Sequence, residues 1–226
     1  MTNYRRNFLD GGSYFFTANL ADRRLTLLTE HIGHLRAAFR EVRVPYPFTI
    51  EAAVILPDHL HAIWTLPEKD ANFALRWRLI KAAFSRGLTR GERISASRAG
   101  KGERGIWQRR YWEHTLRDES DFARHLDYIH FNPVKHGYAP RAQDWPYSSF
   151  RRWLRLGAYP PSWAGDTAAD VRAFGERRWV SPGSTHPTLL IPPQPPPMSL
   201  VAARPPIAIV VSGTIGAALV LLELQP

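Results

Sequence analysis

The run GGSYFFTANL (11–20) sets an aromatic, β-prone stretch behind two glycines and reads as a first strand. The pattern then changes period. Ile32, Leu35, Phe39 and Val42 are spaced three, four and three residues apart, which predicts an amphipathic helix. FTIEAAVIL (48–56) and HLHAIWTLP (59–67) read as strands, and the short link of Pro57 and Asp58 favours an antiparallel hairpin. Phe73, Trp77, Ile80, Phe84 and Leu88 return to a helical spacing. A Gly-, Ser- and Arg-rich loop follows over 89–105, then RYWEHTLR (110–117) as a fourth strand. A third helix starts with Asp118 or Ser120 as N-cap, burying Phe122, Leu126 and Ile129, and ends before Pro133. The order β-α-β-β-α-β-α predicts an α+β fold, a ferredoxin-like antiparallel sheet with helices on one face.

The pattern stops near residue 181. Residues 181–226 hold ten of the nineteen prolines and only two charged side chains, Arg204 and Glu223. This predicts a catalytic-sized domain over 1–155, a transitional segment over 156–180, and a proline-rich, apolar tail over 181–226 that is extended or poorly ordered. Within it, Ile207 to Leu222 is sixteen residues long, short of the roughly 20 that span a bilayer, so no membrane partner is expected. The first residues lack the apolar run of a secretory signal, and a cytoplasmic location is expected.

Charge narrows the class. The net charge is +10, and residues 181–226 contribute none of it, so the domain carries it and a polyanionic partner is expected. Between Arg76 and Arg110 there are eleven Lys or Arg against two Glu, among them Arg78, Lys81, Arg86, Arg104, Arg109 and Arg110. Trp77, Phe84 and Trp107 interleave with them, the mix of a groove for single-stranded nucleic acid. Arg5 and Arg6, ahead of the first strand, read equally as a DNA clamp or as surface charge. With no cysteine in the chain, disulfides and thiolate metal sites are excluded.

Candidate chemistry centres on two short motifs. In an extended run His59 and His61 point to one face, either as metal ligands or as polar surface residues. Tyr128 and Asn132, four residues apart, share a helical face, where a wet phenol and a helix-capping amide are the plainer reading. Together, two imidazoles and the Asn132 carboxamide oxygen make three neutral ligands for a divalent ion, beside a tyrosine that is a candidate nucleophile. Glu113 and His114 read as supports for metal or DNA, or as structural residues. His130 and His136 are set aside, the first by helical phase and the second because it lies past Pro133.

VILPDHLHAIWTLP, IWQRRYWEHTLRDESDF and LDYIHFNPVKHGY, in this order, resemble the REP-associated tyrosine transposases. These belong to the single-tyrosine HUH nucleases. The resemblance covers roughly residues 4–165, with YRRNFLDGGSYFFTANL, DWPYSSF and YPPSWAGD as further matching blocks. It implies a ferredoxin-like catalytic domain, cleavage of single-stranded DNA through a 5′-phosphotyrosine, and Mg²⁺ or Mn²⁺ as cofactor. It also implies hairpins of repetitive extragenic palindromes as substrate. His59 and His61 match the HUH pair, Tyr128 the nucleophile, and Asn132 the third polar ligand. The tail has no counterpart in the resemblance. Two rivals stand beside this reading. One is a non-catalytic single-stranded DNA- or RNA-binding module using aromatics on an open sheet face. The other is a replication initiator or relaxase of the same HUH class.

Overall fold

The computed structural model describes residues 6–164. Arg5 and the whole of the 181–226 tail lie outside the described residues. In chain order the elements are β1 (Ser13–Asn19), α1 (Leu27–Glu30), α2 (Ile32–Arg43), β2 (Thr49–Ile55), β3 (His59–Thr65), α3 (Phe73–Arg86), α4 (Ala96–Ala99), β4 (Trp112–Thr115), α5 (Glu119–Lys135), a 3₁₀ turn (Ala142–Asp144) and α6 (Phe150–Arg155). The four strands form one antiparallel sheet in the order β2-β3-β1-β4. As the short Pro57–Asp58 link requires, β2 and β3 pair as neighbours, Ile55 opposite Leu60.

Helices cover both faces of the sheet, not the one face expected. Alternation along β1 and β3 separates two cores. Phe16, Leu60 and Trp64 join α2 and α3 through Phe39, Trp77 and Phe84. Phe15, Val54 and Ile63 join α5 and α6 through Leu126, Ile129 and Phe150. The physical reason is visible in the central strands: β1 and β3 carry large residues at both parities, which a sheet with one wet face does not do. A bulge at Glu51 interrupts the β2–β3 register. Its freed carbonyl accepts from Trp153 Nε1 at 3.0 Å and from the Arg152 guanidinium, which ties α6 to that edge.

The helix bearing Tyr128 is capped as expected. Asp118 accepts from the Asp121 N–H at 2.7 Å. Its other end differs from expectation, because α5 runs through Pro133 to Lys135. Proline removes one N–H from the ladder. The backbone closes the helix beyond it, with Gly137 N–H donating to Val134 O at 3.0 Å and Tyr138 N–H to Pro133 O at 2.9 Å. Gly137 has φ +71°, the left-handed conformation that this helix ending demands.

Candidate functional site

Strand β3 supplies the two imidazoles and α5 lies across them. His59 and His61 sit on the parity that faces α5, both buried, with ring centroids 5.0 Å apart. The Tyr128 ring lies 5.1 Å from the His61 ring, edge-on at 73°, with Phe15 packed beside both. Asn132, one turn further on, is fully buried. Its amide nitrogen donates to the Tyr128 carbonyl at 3.1 Å. Tyr128, His59, His61 and Asn132, far apart in sequence, are thus brought together.

Each imidazole is oriented through its Nδ1. His61 Nδ1 is 2.8 Å from the Thr17 hydroxyl, its cross-strand partner in β1. His59 Nδ1 is 2.7 Å from Asp58 Oδ1, and the Arg23 guanidinium grips the other Asp58 oxygen while donating to Asn19 Oδ1 at 3.1 Å. A neutral ring whose Nδ1–H is so engaged turns its Nε2 lone pair to the site. His61 Nε2 and Asn132 Oδ1 are both buried, and neither has a hydrogen-bond partner among the described residues. Buried acceptors left bare are costly unless something fills the position. Two imidazole nitrogens and a carboxamide oxygen fit a divalent ion whose remaining positions are taken by oxygen ligands.

The electrostatics favour the neutral, ligating forms. Burial pushes the His61 imidazole well below its ordinary pKa, and the neighbouring His59 adds to this. His59 is also lowered by burial, against the opposing pull of the Asp58 carboxylate. Burial alone would raise Asp58, but His59 and Arg23 outweigh it and hold the carboxyl at about 2. The Tyr128 phenol is raised by burial, partly offset by the Asn132 amide. Lys135 Nζ stands 5.4 Å above the Tyr128 ring.

Other candidates lie elsewhere. His114 bonds to Asp121 at 2.8 Å, and Glu113, on the opposite face of β4, pairs with Arg6 at 3.3 Å. His114, Asp121 and His125 bring ligating atoms within 4.8 Å of one another. Arg117 and Arg124 also pair with Asp121, so its charge is already met and the group acts as a clasp between β4 and α5. His130 is buried between Ser149 and Tyr159, in keeping with its being set aside. His136 is not remote: its ring is 5.4 Å from His59, because the helix carries on past Pro133.

The cationic set is spread over the other layer. Arg78, Lys81 and Arg86 lie on α3, across the sheet from Tyr128. Arg78 and Arg110 are exposed, and Arg86 pairs with Glu41 at 3.0 Å. Lys81 Nζ donates to Gln108 O at 3.0 Å and faces the rings of Trp107 and Tyr111. Arg104 clamps Glu92 and the carbonyls of Leu88 and Thr89, and Arg109 pairs with Glu103 at 2.7 Å. Arg6 stacks on Tyr111 at 4.5 Å. Trp77, Phe84 and Trp107, expected to stack on bases, are buried in the core instead. The apolar spacing that predicted α3 had already assigned two of them to its inner face.

Thr17, Asp58, Arg23 and Lys135 give no site signal of their own in the sequence, and His136, set aside there for lying past Pro133, stands beside His59. Asp58 had an adjacent signal in PDHLH, whereas Thr17 is found only through strand register.

No family model matches the chain. It is 46% identical over 177 residues to the REP-associated tyrosine transposase of Escherichia coli strain K12, spanning 78% of this chain and 98% of that protein. A Haemophilus influenzae protein given the same name provisionally is 48% identical over 173 residues, 76% of this chain and 98% of its own length. The solved structure of a REP-associated tyrosine transposase bound to a REP hairpin matches with a TM-score of 0.62 at 45% identity, covering 74% of this chain and 94% of that one. With relatives this similar over nearly their whole length, and with a half-buried tyrosine set against a buried histidine pair, the chain belongs to the REP-associated tyrosine transposases.

Proposed function

We propose that the protein is a metal-dependent single-stranded DNA nuclease and strand transferase that acts on hairpins of repetitive extragenic palindromes through Tyr128. The observation that carries this reading is the pair of buried, unpartnered acceptors, His61 Nε2 and Asn132 Oδ1, beside the Tyr128 ring. Nε2 of His59 completes the donor set, and Mg²⁺ or Mn²⁺ bound there would polarise the scissile phosphate and neutralise its charge. The chain's own residues do the rest. Thr17 and Asp58 hold the two imidazoles in the ligating tautomer, and Asn132 is held by the Tyr128 carbonyl. Tyr128 Oη forms a bond to phosphorus and loses its proton, while the bond from phosphorus to the 3′ oxygen breaks and that oxygen gains a proton. The products are a 5′-phosphotyrosine and a free 3′-hydroxyl, and attack by a second 3′-hydroxyl reverses the step to join strands.

The strand order and the β-α-β-β-α-β succession support a ferredoxin-like topology. The catalytic domain takes in residues beyond the expected boundary at 155, since Tyr159 and Ala164 are buried in the second core. The exposed Arg78, Arg86 and Arg110 hold the hairpin stem from the sheet's far side, and Arg23 and Lys135 meet phosphates at the site. A non-catalytic binding module is less favoured: it needs an open aromatic sheet face, and both faces here are covered.

The test is Tyr128→Phe, incubated with radiolabelled single-stranded hairpin and a divalent ion. Hairpin affinity is expected to stay within about twofold of wild type, with the covalent adduct lost on denaturing gels. An adduct formed at the wild-type rate would refute the assignment.

A further inference from the structure

The HGY stretch after α5, residues 136–138, has no part in the chemistry above. Its geometry is built all the same. The left-handed Gly137 and the Tyr138 N–H bond to Pro133 fix where Tyr138 leaves the helix. A residue in this position ordinarily folds its side chain back on the last helical turn. Tyr138 instead remains 44% exposed. Its ring leans on Trp145 at 5.5 Å and 32°, and on His136 at 6.0 Å and 31°. Trp145 is anchored in turn, its Nε1 donating to Ile55 O at 2.9 Å and its ring abutting Tyr147 edge-on. His136 closes the series against His59. A rigid run of rings therefore extends from a metal ligand to the surface and ends in an exposed aromatic. Burial raises the Tyr138 phenol, and Asp58 and Arg23 act on it in opposite directions, so the ring sits within the electrostatic reach of the His59 support pair.

We propose that Tyr138, backed by Trp145 and flanked by His136, is a stacking platform for a nucleobase of the single-stranded DNA next to the phosphate held at His59 and His61. This rests on the function proposed above. The occupant follows from continuity with the site and from charge. The rings start at a metal ligand, and Arg23 and Lys135 beside them supply cations for the adjoining phosphates. Stacking is tolerant of base identity, so the platform orients the strand without reading its sequence. Nothing in the arrangement demands a hydrogen bond to a base edge.

The experiment uses the full chain and a hairpin with single-stranded flanks, its cleavage site mapped with the wild type. 2-Aminopurine is placed at each of the three positions on either side of that site, in the uncleavable Tyr128→Phe background. One position is expected to be quenched on binding. Tyr138→Leu should abolish that quench and weaken binding about tenfold, whereas Tyr138→Phe should keep both. An abasic nucleotide at the same position should weaken the Tyr138-containing protein by the same factor, and should cost Tyr138→Leu nothing further. If Tyr138→Leu in that background binds the hairpin with unchanged affinity, and no position loses its quench, the platform is refuted, while cleavage by the wild type keeps the function standing. If the wild type binds no hairpin, the function proposed above falls and the platform with it.

Discussion

His61, a ligand in the proposed site, shows how much such a role depends on the residue behind it. Its Nε2 is aimed by the Thr17 hydroxyl at Nδ1, a contact between two strands. Partners of this kind typically contribute 10- to 100-fold in metal affinity. Thr17→Val keeps the branched shape and is expected to weaken Mn²⁺ binding roughly 10- to 100-fold while leaving the melting temperature nearly unchanged. Titration calorimetry with Mn²⁺ checks this, and cleavage should recover at high Mn²⁺. Unaltered affinity would mean that packing alone orients the ring. The sequence exposes the first layer of this site and hides the second. An H-x-H pair and a Tyr-x₃-Asn spacing are local patterns, so strand and helix periodicity suffice to align them. Thr17 and Arg23 reach the site only through strand pairing and a turn of chain, which no local period encodes. His136 was lost for a different reason, since proline was expected to end a helix that its capping bonds in fact carry further.

At the scale of the element, α3 carries two competing sequence signals on one face. Trp77 and Phe84 fit both an apolar stripe and a base-stacking surface in sequence, and burial decides for the stripe. Lys81 shares that helix, and its ammonium has been drawn in against Trp107 and Tyr111. Burial, with Arg6 and Arg98 adding repulsion, lowers its pKa from 10.5 to about 8. The sign of the linkage follows. Below about 8 both folded and unfolded chains hold the proton, and the folded state bears the full cost of the buried charge. Between about 8 and 10.5 only the unfolded chain holds it, so this group makes stability rise with pH by about 1.4 kcal/mol per unit. Lys81→Met is therefore expected to be more stable than wild type at pH 7 in urea melts, the advantage shrinking by pH 10. A difference constant with pH would rule out Lys81 as its source. The clasp of His114, Asp121 and His125 belongs to this scale too, because it fixes the first half of α5 to β4 and so sets the height of Tyr128 over the sheet.

For the whole molecule, the net charge of +10 lies within residues 1–180, and the described part places it on both sides of the sheet. Binding to hairpin DNA should therefore depend steeply on salt. On single strands each neutralised phosphate contributes about −0.7 to the log–log slope, and a slope steeper than about −3 is expected. Replacing Arg78, Lys81 and Arg86 together should flatten it, and a flat response from the wild type would assign affinity to stacking and shape. Charge was the molecular property most readable in the sequence, whereas its placement was not, since composition says nothing of which layer a helix joins. The tail is a separate matter. Among the described residues the two cores draw on Tyr14–Ala164, and the proline-rich, nearly uncharged composition of 181–226 departs from that of the core-forming chain. Deleting 181–226 is expected to leave the melting temperature and adduct yield unchanged, measured beside the full chain. A large loss of either would mean that the domain depends on that segment.

The hydrogen bond from Asn132 to the Tyr128 carbonyl has a mechanical meaning. On the proposed roles, the nucleophile Tyr128 and the ligand Asn132 stand one turn apart on one helix, geared together. Any tilt or rotation of α5 that withdrew the phenol from a bound phosphate would also withdraw the carboxamide from the site that His59 and His61 offer an ion. A centre that keeps its ion but has lost its tyrosine, free to pass DNA to water, would require the helix to unwind between the two residues. On those roles, protection against idle hydrolysis would rest on one helix that engages or disengages as a unit.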